Sequence, residues 1–186
     1  MNEKINQYQQ MLIQCIKDLN TSAIIDFIQL LQKARDEDKQ IIIMGNGGSG
    51  ATASHFAGDF NKGLSLGKPR ELRYRVISLV DNSPTLLSLA NDVSYDDIFV
   101  EQMKNFVCEG DLVVGISGSG NSENILRAVK FAKNQGATVV GLTGYDGGKL
   151  KELSDLNLHI NINNMQVAED MHMVLTHLIF YVLSEN

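Results

Sequence analysis

The fold class is decided by the stretch Gln40-Ile41-Ile42-Ile43-Met44, which runs directly into Gly45-Asn46-Gly47-Gly48-Ser49-Gly50. A short apolar run rich in β-branched residues is typical of a strand buried on both faces, as in a parallel sheet. Three further runs repeat the pattern and a weaker fifth follows them, at residues 75–80, 111–116, 138–142 and 156–160. Helical stretches between and after the strands are predicted at about 49–61, 84–105 (broken near 91–94), 121–135, 147–153 and 165–184. This alternation predicts an α/β fold in which helices flank a five-stranded parallel sheet.

The residues before the first strand predict a helical hairpin. Residues 4–19 place apolar side chains on one helical face, and Thr21 and Ser22 are candidate N-caps for a second helix. No repeat, low-complexity tract or linker interrupts the chain. We therefore expect one domain over residues 1–186, with N-terminal helices at 1–38 and an α/β core at 39–186.

Composition excludes several classes of function. The chain of 186 residues has 16 Lys and Arg against 22 Asp and Glu, a net charge of −6 that disfavours a nucleic-acid backbone as partner. Its N-terminus has no signal-peptide pattern, and no apolar run approaches the roughly 20 residues that cross a bilayer. Cys15 and Cys108 match no metal or redox spacing. These features predict reduced core thiols and a cytoplasmic protein without a membrane partner.

The sharpest local signal is Ile116-Ser117-Gly118-Ser119-Gly120-Asn121-Ser122, at a strand end that leads into a helix. Glycines allow a ligand to approach the backbone, and the free amides and dipole of a helix N-terminus favour an anion. Three serine hydroxyls then complete a phosphate-binding loop without Lys or Arg. The alternative is an ordinary strand-to-helix turn with a serine cap. No Walker lysine follows, which disfavours a nucleoside triphosphatase.

The loop 45–50 is less specific, because a glycine turn that only permits tight packing fits it as well as a ligand contact does. Gly45, Gly47 and Gly50 have the spacing of a dinucleotide fingerprint. The next strand, however, brings its acidic residue, Asp81, more than 30 residues after Gly45, where that motif places it after about 20. A nicotinamide cofactor is therefore the weaker alternative.

Candidate acid–base residues lie on two helices. His55 and Asp59 are four residues apart and share one helical face. The last helix carries Glu169, Asp170, His172 and His177. Glu169 and His177 are about 12 Å apart along the axis and roughly 80° apart in azimuth, at the limit of joint reach to one metal. Glu169 with His172 is the more compact pair, and each residue alone is compatible with a surface or capping role.

Taken together, these motifs resemble the sugar isomerase (SIS) domain family, and within it the phosphoheptose isomerases. The resemblance is carried by the loops at 45–49 and 116–122, by His55-Phe56-Ala57 and Ala90-Asn91-Asp92, and by the stretch from Leu142 to Lys149. It implies an SIS fold and conversion of sedoheptulose 7-phosphate into D-glycero-D-manno-heptose 7-phosphate. It also implies a cytoplasmic homotetramer with active sites between subunits and, in many members, zinc.

The resemblance also implies roles for individual residues. Positions matching phosphate and substrate contacts are Asn46, Gly47, Gly48, Ser49, Asn91, Asp92, Ser117, Gly118, Ser119, Ser122 and Glu169. Positions matching the zinc ligands are His55, Asp59, Glu169 and His177. Positions matching the catalytic acid–base groups are Asp59, Glu169 and His177.

Two of these positions depart from the family pattern. Asp59 stands where the family has a glutamate that serves as base and zinc ligand, and Glu169 stands where it has a glutamine. Asp59 has about 1.5 Å less reach, and a displacement near 1 Å can cost a reaction 10²-fold. Our hypothesis is that Asp59 remains a ligand while Glu169 takes or shares the base role. The alternatives are an isomerase adjusted to a different sugar phosphate and a non-catalytic phosphosugar-binding protein.

Overall fold

The computed structural model describes residues 1–184, and its centre is the five-stranded parallel sheet expected from the apolar runs. The strands are β1 (Gln40–Gly45), β2 (Arg75–Ser78), β3 (Leu112–Ser117), β4 (Thr138–Thr143) and β5 (Leu156–His159). Their order in the sheet is β2-β1-β3-β4-β5, and every neighbouring pair is parallel. The predicted fold class is confirmed. The second strand ends at Ser78, before the predicted residues 79 and 80.

Eight α-helices surround the sheet in the described part of the chain. They are α1 (Asn2–Lys17), α2 (Thr21–Asp36), α3 (Gly47–Gly58), α4 (Ser83–Asp92), α5 (Ile98–Met103), α6 (Glu123–Asn134), α7 (Gly148–Leu153) and α8 (Met165–Ser184). The predicted break in the segment 84–105 is present as a 3₁₀ turn at Tyr95–Asp97. The predicted helix at 49–61 begins at Gly47 and changes to a π-helical turn over Asp59–Gly63.

The sheet is covered on both faces because alternate strand residues point in opposite directions. In β1, Ile41 and Ile43 pack into a core with α2, α3 and α8, whereas Ile42 and Met44 pack into a second core with α5, α6 and α7. All four side chains are fully buried. Burying each of them contributes about 1.5–3 kcal/mol. The continuous apolar runs thus mark strands that have helices above and below.

The N-terminal helices are present and join the first of these cores. Phe27 and Leu31 of α2 are buried within it, and α1 contacts α8. Helix α2 is capped by Asn20, whose side chain accepts a hydrogen bond from the Ala23 amide at 3.2 Å, and not by Thr21 or Ser22. An asparagine directly before a helix is among the best caps.

The two cysteines differ in their exposure. Cys15 is buried, but Cys108 is exposed, so the prediction of a core thiol was wrong for Cys108. Among residues 1–184, none of the helices combines the length and the apolar character that crossing a bilayer requires.

Candidate active site

Loops from the two central strands meet at one edge of the sheet. Because β1 and β3 are neighbours while α3 and α6 lie on opposite faces, this edge is the switch point where ligands bind in open α/β sheets. The loop after β1 carries Asn46, and the loop after β3 carries residues 117–122. The topology therefore brings together the two loops that the sequence singled out.

Both helices that begin at this edge have an N-cap side chain that bonds elsewhere. Asn46 precedes α3 and Ser122 precedes α6, and within residues 1–184 neither side chain caps its own helix. The Ser122 hydroxyl lies 3.2 Å from the Ser117 hydroxyl. First-turn amide groups of two 12-residue helices consequently face the same edge, a favourable setting for an anion.

The serine loop is held in a tight turn. Gly120 donates its amide to the Ser117 carbonyl at 3.0 Å, and the Ser119 hydroxyl accepts from the Asn121 amide at 3.2 Å. Gly120 has φ +65°, and a Cβ there would lie 1.9 Å from the Gly147 carbonyl oxygen. Glycine is therefore required at this position by both conformation and space. Ser119 also borders a cavity of about 580 Å³, whose other lining residues include Asn121, Tyr145 and Asn161.

Three of the four predicted metal ligands come together beside this edge. The Nε2 atoms of His55 and His177 are 2.8 Å apart, and His55 Nε2 lies 3.2 Å from the Asp59 carboxylate. Candidate ligand atoms of all three residues lie within 4.8 Å of one another. Two imidazoles and a carboxylate are a donor set that zinc accepts. His55 and His177 are exposed, so this cluster opens to the protein surface.

Glu169 lies outside that cluster in the described structure and packs on the first turn of α3. A Cβ built on Gly48 would be only 2.5 Å from Glu169 Oε2, so the half-buried carboxylate occupies the space that this glycine leaves free. The sequence-based set of four ligands is thus divided into a cluster of three and a separate carboxylate. The helical offset between Glu169 and His177 accounts for the separation.

Helix α8 contacts the serine loop, the first turn of α3 and the histidine cluster in turn. Met165, in its first turn, packs on Gly118, where a Cβ would lie 2.5 Å from the methionine sulfur. Glu169 comes one turn later against Gly48, and His177 follows two turns after that against His55. Along the axis these steps are about 6 Å and about 12 Å. One helix therefore carries side chains from the serine loop to the histidine cluster.

The other sequence candidates have different surroundings. Asn91 and Asp92 are exposed at the end of α4 and bond to each other at 2.7 Å; in residues 1–184 they make no hydrogen bond to either loop. Asp81, the residue of the nicotinamide alternative, accepts a hydrogen bond from the Ser54 hydroxyl. Asp170 accepts one from the Tyr8 hydroxyl, which ties α1 to α8.

His172 is fully buried and lies outside the histidine cluster. Burial lowers its pKa to about 4, so the imidazole is neutral near pH 7. The interpretation of Glu169 and His172 as a compact pair finds no support, because His172 is buried in the core while Glu169 packs on Gly48 in the first turn of α3.

Two residues near the site were missed in the sequence. Asn124 and Tyr95 both bond the Asn46 side chain, at 2.9 and 3.0 Å. The available signal was the second asparagine of Asn121-Ser122-Glu123-Asn124, an amide in the first turn of a helix that starts at a strand end. Nothing in its spacing distinguishes a buried partner from an exposed residue.

Comparison with known proteins decides the family, since the SIS domain model matches residues 5–144. This chain belongs to the SIS domain family. A probable phosphoheptose isomerase of Thermoplasma acidophilum is 34% identical over 168 residues, which cover 90% of this chain and 91% of that protein. The phosphoheptose isomerase of Aliarcobacter butzleri is 38% identical over 147 residues, covering 77% and 75%.

A solved structure extends the likeness over the whole SIS fold. Phosphoheptose isomerase GmhA from Neisseria gonorrhoeae superimposes with a TM-score of 0.88 at 26% identity, covering 100% of this chain and 97% of that one. The family model ends at residue 144, before β5 and α8, so it is the full-length likeness that includes the helix carrying Glu169 and His177. The predicted resemblance to phosphoheptose isomerases is confirmed.

Proposed function

We propose that this chain is a phosphosugar isomerase that converts sedoheptulose 7-phosphate into D-glycero-D-manno-heptose 7-phosphate through an enediol. The observation that carries the proposal is the course of α8, which joins a serine loop suited to phosphate, a half-buried carboxylate and a histidine cluster. The relatives named phosphoheptose isomerase support the same activity.

Phosphate binding is assigned to the loop 117–122. Ser117, Ser119 and Ser122 supply hydroxyls, and the Glu123 and Asn124 amides in the first turn of α6 supply N–H donors. A hydrogen bond to a charged group contributes about 1.5–3 kcal/mol. Several such bonds retain a dianionic phosphate without a lysine. The sugar then extends along α8 toward Gly48 and the histidine cluster.

The proton transfer is assigned to Glu169. In the ketose-to-aldose direction the base removes a proton from C1 and returns it to C2, while the hydroxyl proton of O1 moves to O2. Glu169 carries the carbon-bound proton, because its carboxylate stands apart from the cluster and faces the first turn of α3. His177 exchanges the oxygen-bound proton, since an imidazole has one nitrogen for a metal and another for a proton.

His55, Asp59 and His177 are the residues that would hold zinc, and a bound zinc would polarise the substrate oxygens. With Glu169 outside the cluster, one carboxylate and two neutral imidazoles leave a net charge of +1 on the site. Three protein ligands with a fourth position open is the arrangement of catalytic zinc sites. Asp59 therefore serves as a ligand, and the family's base role passes to Glu169.

The decisive experiment is incubation with sedoheptulose 7-phosphate, with and without a chelator, followed by NMR of the sugar. We expect heptose 7-phosphate to form and chelation to stop it, with about one zinc per chain by elemental analysis. Glu169→Gln should keep the zinc and lose kcat, whereas the exposed control Glu152→Gln on α7 should match the parent. A metal-free protein with full activity, or a fully active Glu169→Gln, would refute this assignment.

A different sugar phosphate is the second candidate, favoured by the Asp59 and Glu169 departures. Turnover assays with five-, six- and seven-carbon ketose phosphates in parallel distinguish this candidate from the first. Turnover of a shorter sugar with none of sedoheptulose 7-phosphate would establish that candidate. Binding of all of them without turnover would indicate a non-catalytic phosphosugar-binding protein.

We also propose a cytoplasmic homotetramer with active sites between subunits. The histidine cluster is open to the surface, and apolar side chains are exposed on the N-terminal helices and on α8, among them Ile5, Ile16, Ile25 and Leu178. Packing against further copies would cover both. Light scattering should give a mass near four chains, and a stable, fully active monomer would contradict the proposal.

A further inference from the structure

The Asn46 side chain is held by a hydrogen-bond network that determines which way its amide faces. Its Nδ2 donates to Asn124 Oδ1 at 2.9 Å, and its Oδ1 accepts from Asn124 Nδ2 at 2.9 Å. The Tyr95 hydroxyl donates to the same Asn46 oxygen at 3.0 Å. Asn46 follows β1, Asn124 lies in the first turn of α6, and Tyr95 lies between α4 and α5. Three separate segments thus converge on one amide.

A backbone group fixes the direction of every bond in this network. The Ile125 amide can only donate, and it donates to Asn124 Oδ1 at 2.9 Å. The atom that it contacts must therefore be the oxygen of Asn124, so the other atom is the nitrogen, which donates to Asn46. Asn46 consequently turns its oxygen toward Asn124 and Tyr95 and its nitrogen toward Asn124 Oδ1.

This orientation leaves Asn46 with one kind of free group. Both lone-pair directions of Oδ1 are taken by donors, and one of the two Nδ2 hydrogens is taken by Asn124. Among residues 1–184 the second hydrogen has no hydrogen-bond partner, and it lies on the amide edge away from the reciprocal pair. Asn124 is only 2% exposed, so water does not compete for its bonds.

We propose that Asn124 and Tyr95 are positioning residues that make Asn46 a pure hydrogen-bond donor toward the sugar. The inference rests on the proposed function and on the substrate contact that the family resemblance implies for Asn46. A donor-only amide donates to a carbonyl or another oxygen with a free lone pair, and it forms no hydrogen bond with a group that offers only a hydrogen. The ketose carbonyl and the hydroxyl oxygens of a sugar phosphate meet this requirement.

A cycle of variants tests whether Tyr95 and Asn124 act through Asn46. Tyr95→Phe should lower kcat/KM about tenfold or less, the effect of one neutral hydrogen bond. In an Asn46→Ala background the same change should alter kcat/KM by less than about twofold, because the group that it orients is gone. Equal losses in both backgrounds would overturn the inference.

Asn124→Asp breaks the network without changing its size. A carboxylate still accepts from Ile125 but cannot donate to Asn46, so one bond of the reciprocal pair becomes a repulsive contact between two oxygens and the Asn46 amide is no longer held in its orientation. We expect kcat/KM to fall by about tenfold or more. Asn134→Asp, at the exposed end of the same helix, controls for the added charge. Full activity of Asn124→Asp would contradict a donor-only Asn46.

NMR of the Asn46 side-chain amide keeps this test separate from the proposed function. Wild-type protein that turns over no sugar phosphate would refute the function alone. The positioning role would then be decided by the two Asn46 amide hydrogens, whose signals should shift in Tyr95→Phe and in Asn124→Asp. Unchanged signals in both variants would overturn it.

Discussion

Adding one methyl group at Gly48 should displace the Glu169 carboxylate while leaving the fold intact. A Cβ at this position would lie 2.5, 2.6 and 2.7 Å from Oε2, Cδ and Oε1 of Glu169, whereas ordinary contact begins at 3.4 Å. The carboxylate must therefore move by about 1 Å. A misplacement of that size can cost about 10²-fold in rate, so we expect Gly48→Ala to lose up to that factor in kcat.

The fold should tolerate this change. Gly48 is helical and has no left-handed φ, and the atoms that it would meet are the end of a flexible side chain. Alanine is preferred over glycine in a helix by up to about 1 kcal/mol. For a chain of this length 1 kcal/mol corresponds to roughly 2–4 °C in Tm. We expect Tm to stay constant or rise slightly while activity falls.

Gly58→Ala is the matched control in the same helix. A Cβ at Gly58 meets nothing within 4 Å, so this variant should gain the same helical preference and keep its activity. The assay is kcat and KM for sedoheptulose 7-phosphate, together with zinc content, which should not change in either variant. If Gly48→Ala were as active as Gly58→Ala, the assignment of Glu169 as base would be wrong.

Three further predictions concern the serine loop and the core. Ser119→Ala and Ser122→Ala should each raise KM by tenfold or more, since each removes a bond of about 1.5–3 kcal/mol to phosphate; unchanged kinetics in both would remove the loop from the phosphate site. Gly120→Ala should lower Tm well beyond Gly67→Ala, because both have positive φ but only Gly120 faces a carbonyl oxygen at 1.9 Å, and equal losses would contradict this. Unfolded His172 binds a proton near pH 6.5 and folded His172 only near pH 4, so the free energy of unfolding should fall by about 3 kcal/mol as pH drops through that window. Urea unfolding of His172→Leu at pH 7 and pH 5 should show a smaller loss than the parent, and an identical loss would refute it.

The strands could be predicted from the sequence, because a short run of apolar residues is enough to indicate a buried strand. The composition of a run such as Ile41-Ile42-Ile43 indicates a strand buried on both faces, and in the structure this run forms part of β1. The serine and glycine loops were also found locally, because glycines after a buried strand mark places where backbone must turn or approach a ligand. The N-cap of α2 and the exposure of Cys108 were misjudged, since both depend on neighbours that a short window does not contain.

Which candidates act together depends on how distant parts of the chain pack. His55 and His177 are 122 residues apart in the chain and become neighbours because α8 packs across α3. The same packing places Glu169 on Gly48, outside the cluster, and no spacing rule within one helix predicts what the facing helix presents. The orientation of Asn46 likewise depends on Asn124 and Tyr95, from two other segments. Hydrophobic periodicity along the chain indicates helices and strands, because it follows the geometric repeat of a single element. The side-chain contacts between elements depend on how the layers pack, and a short stretch of sequence does not encode that packing.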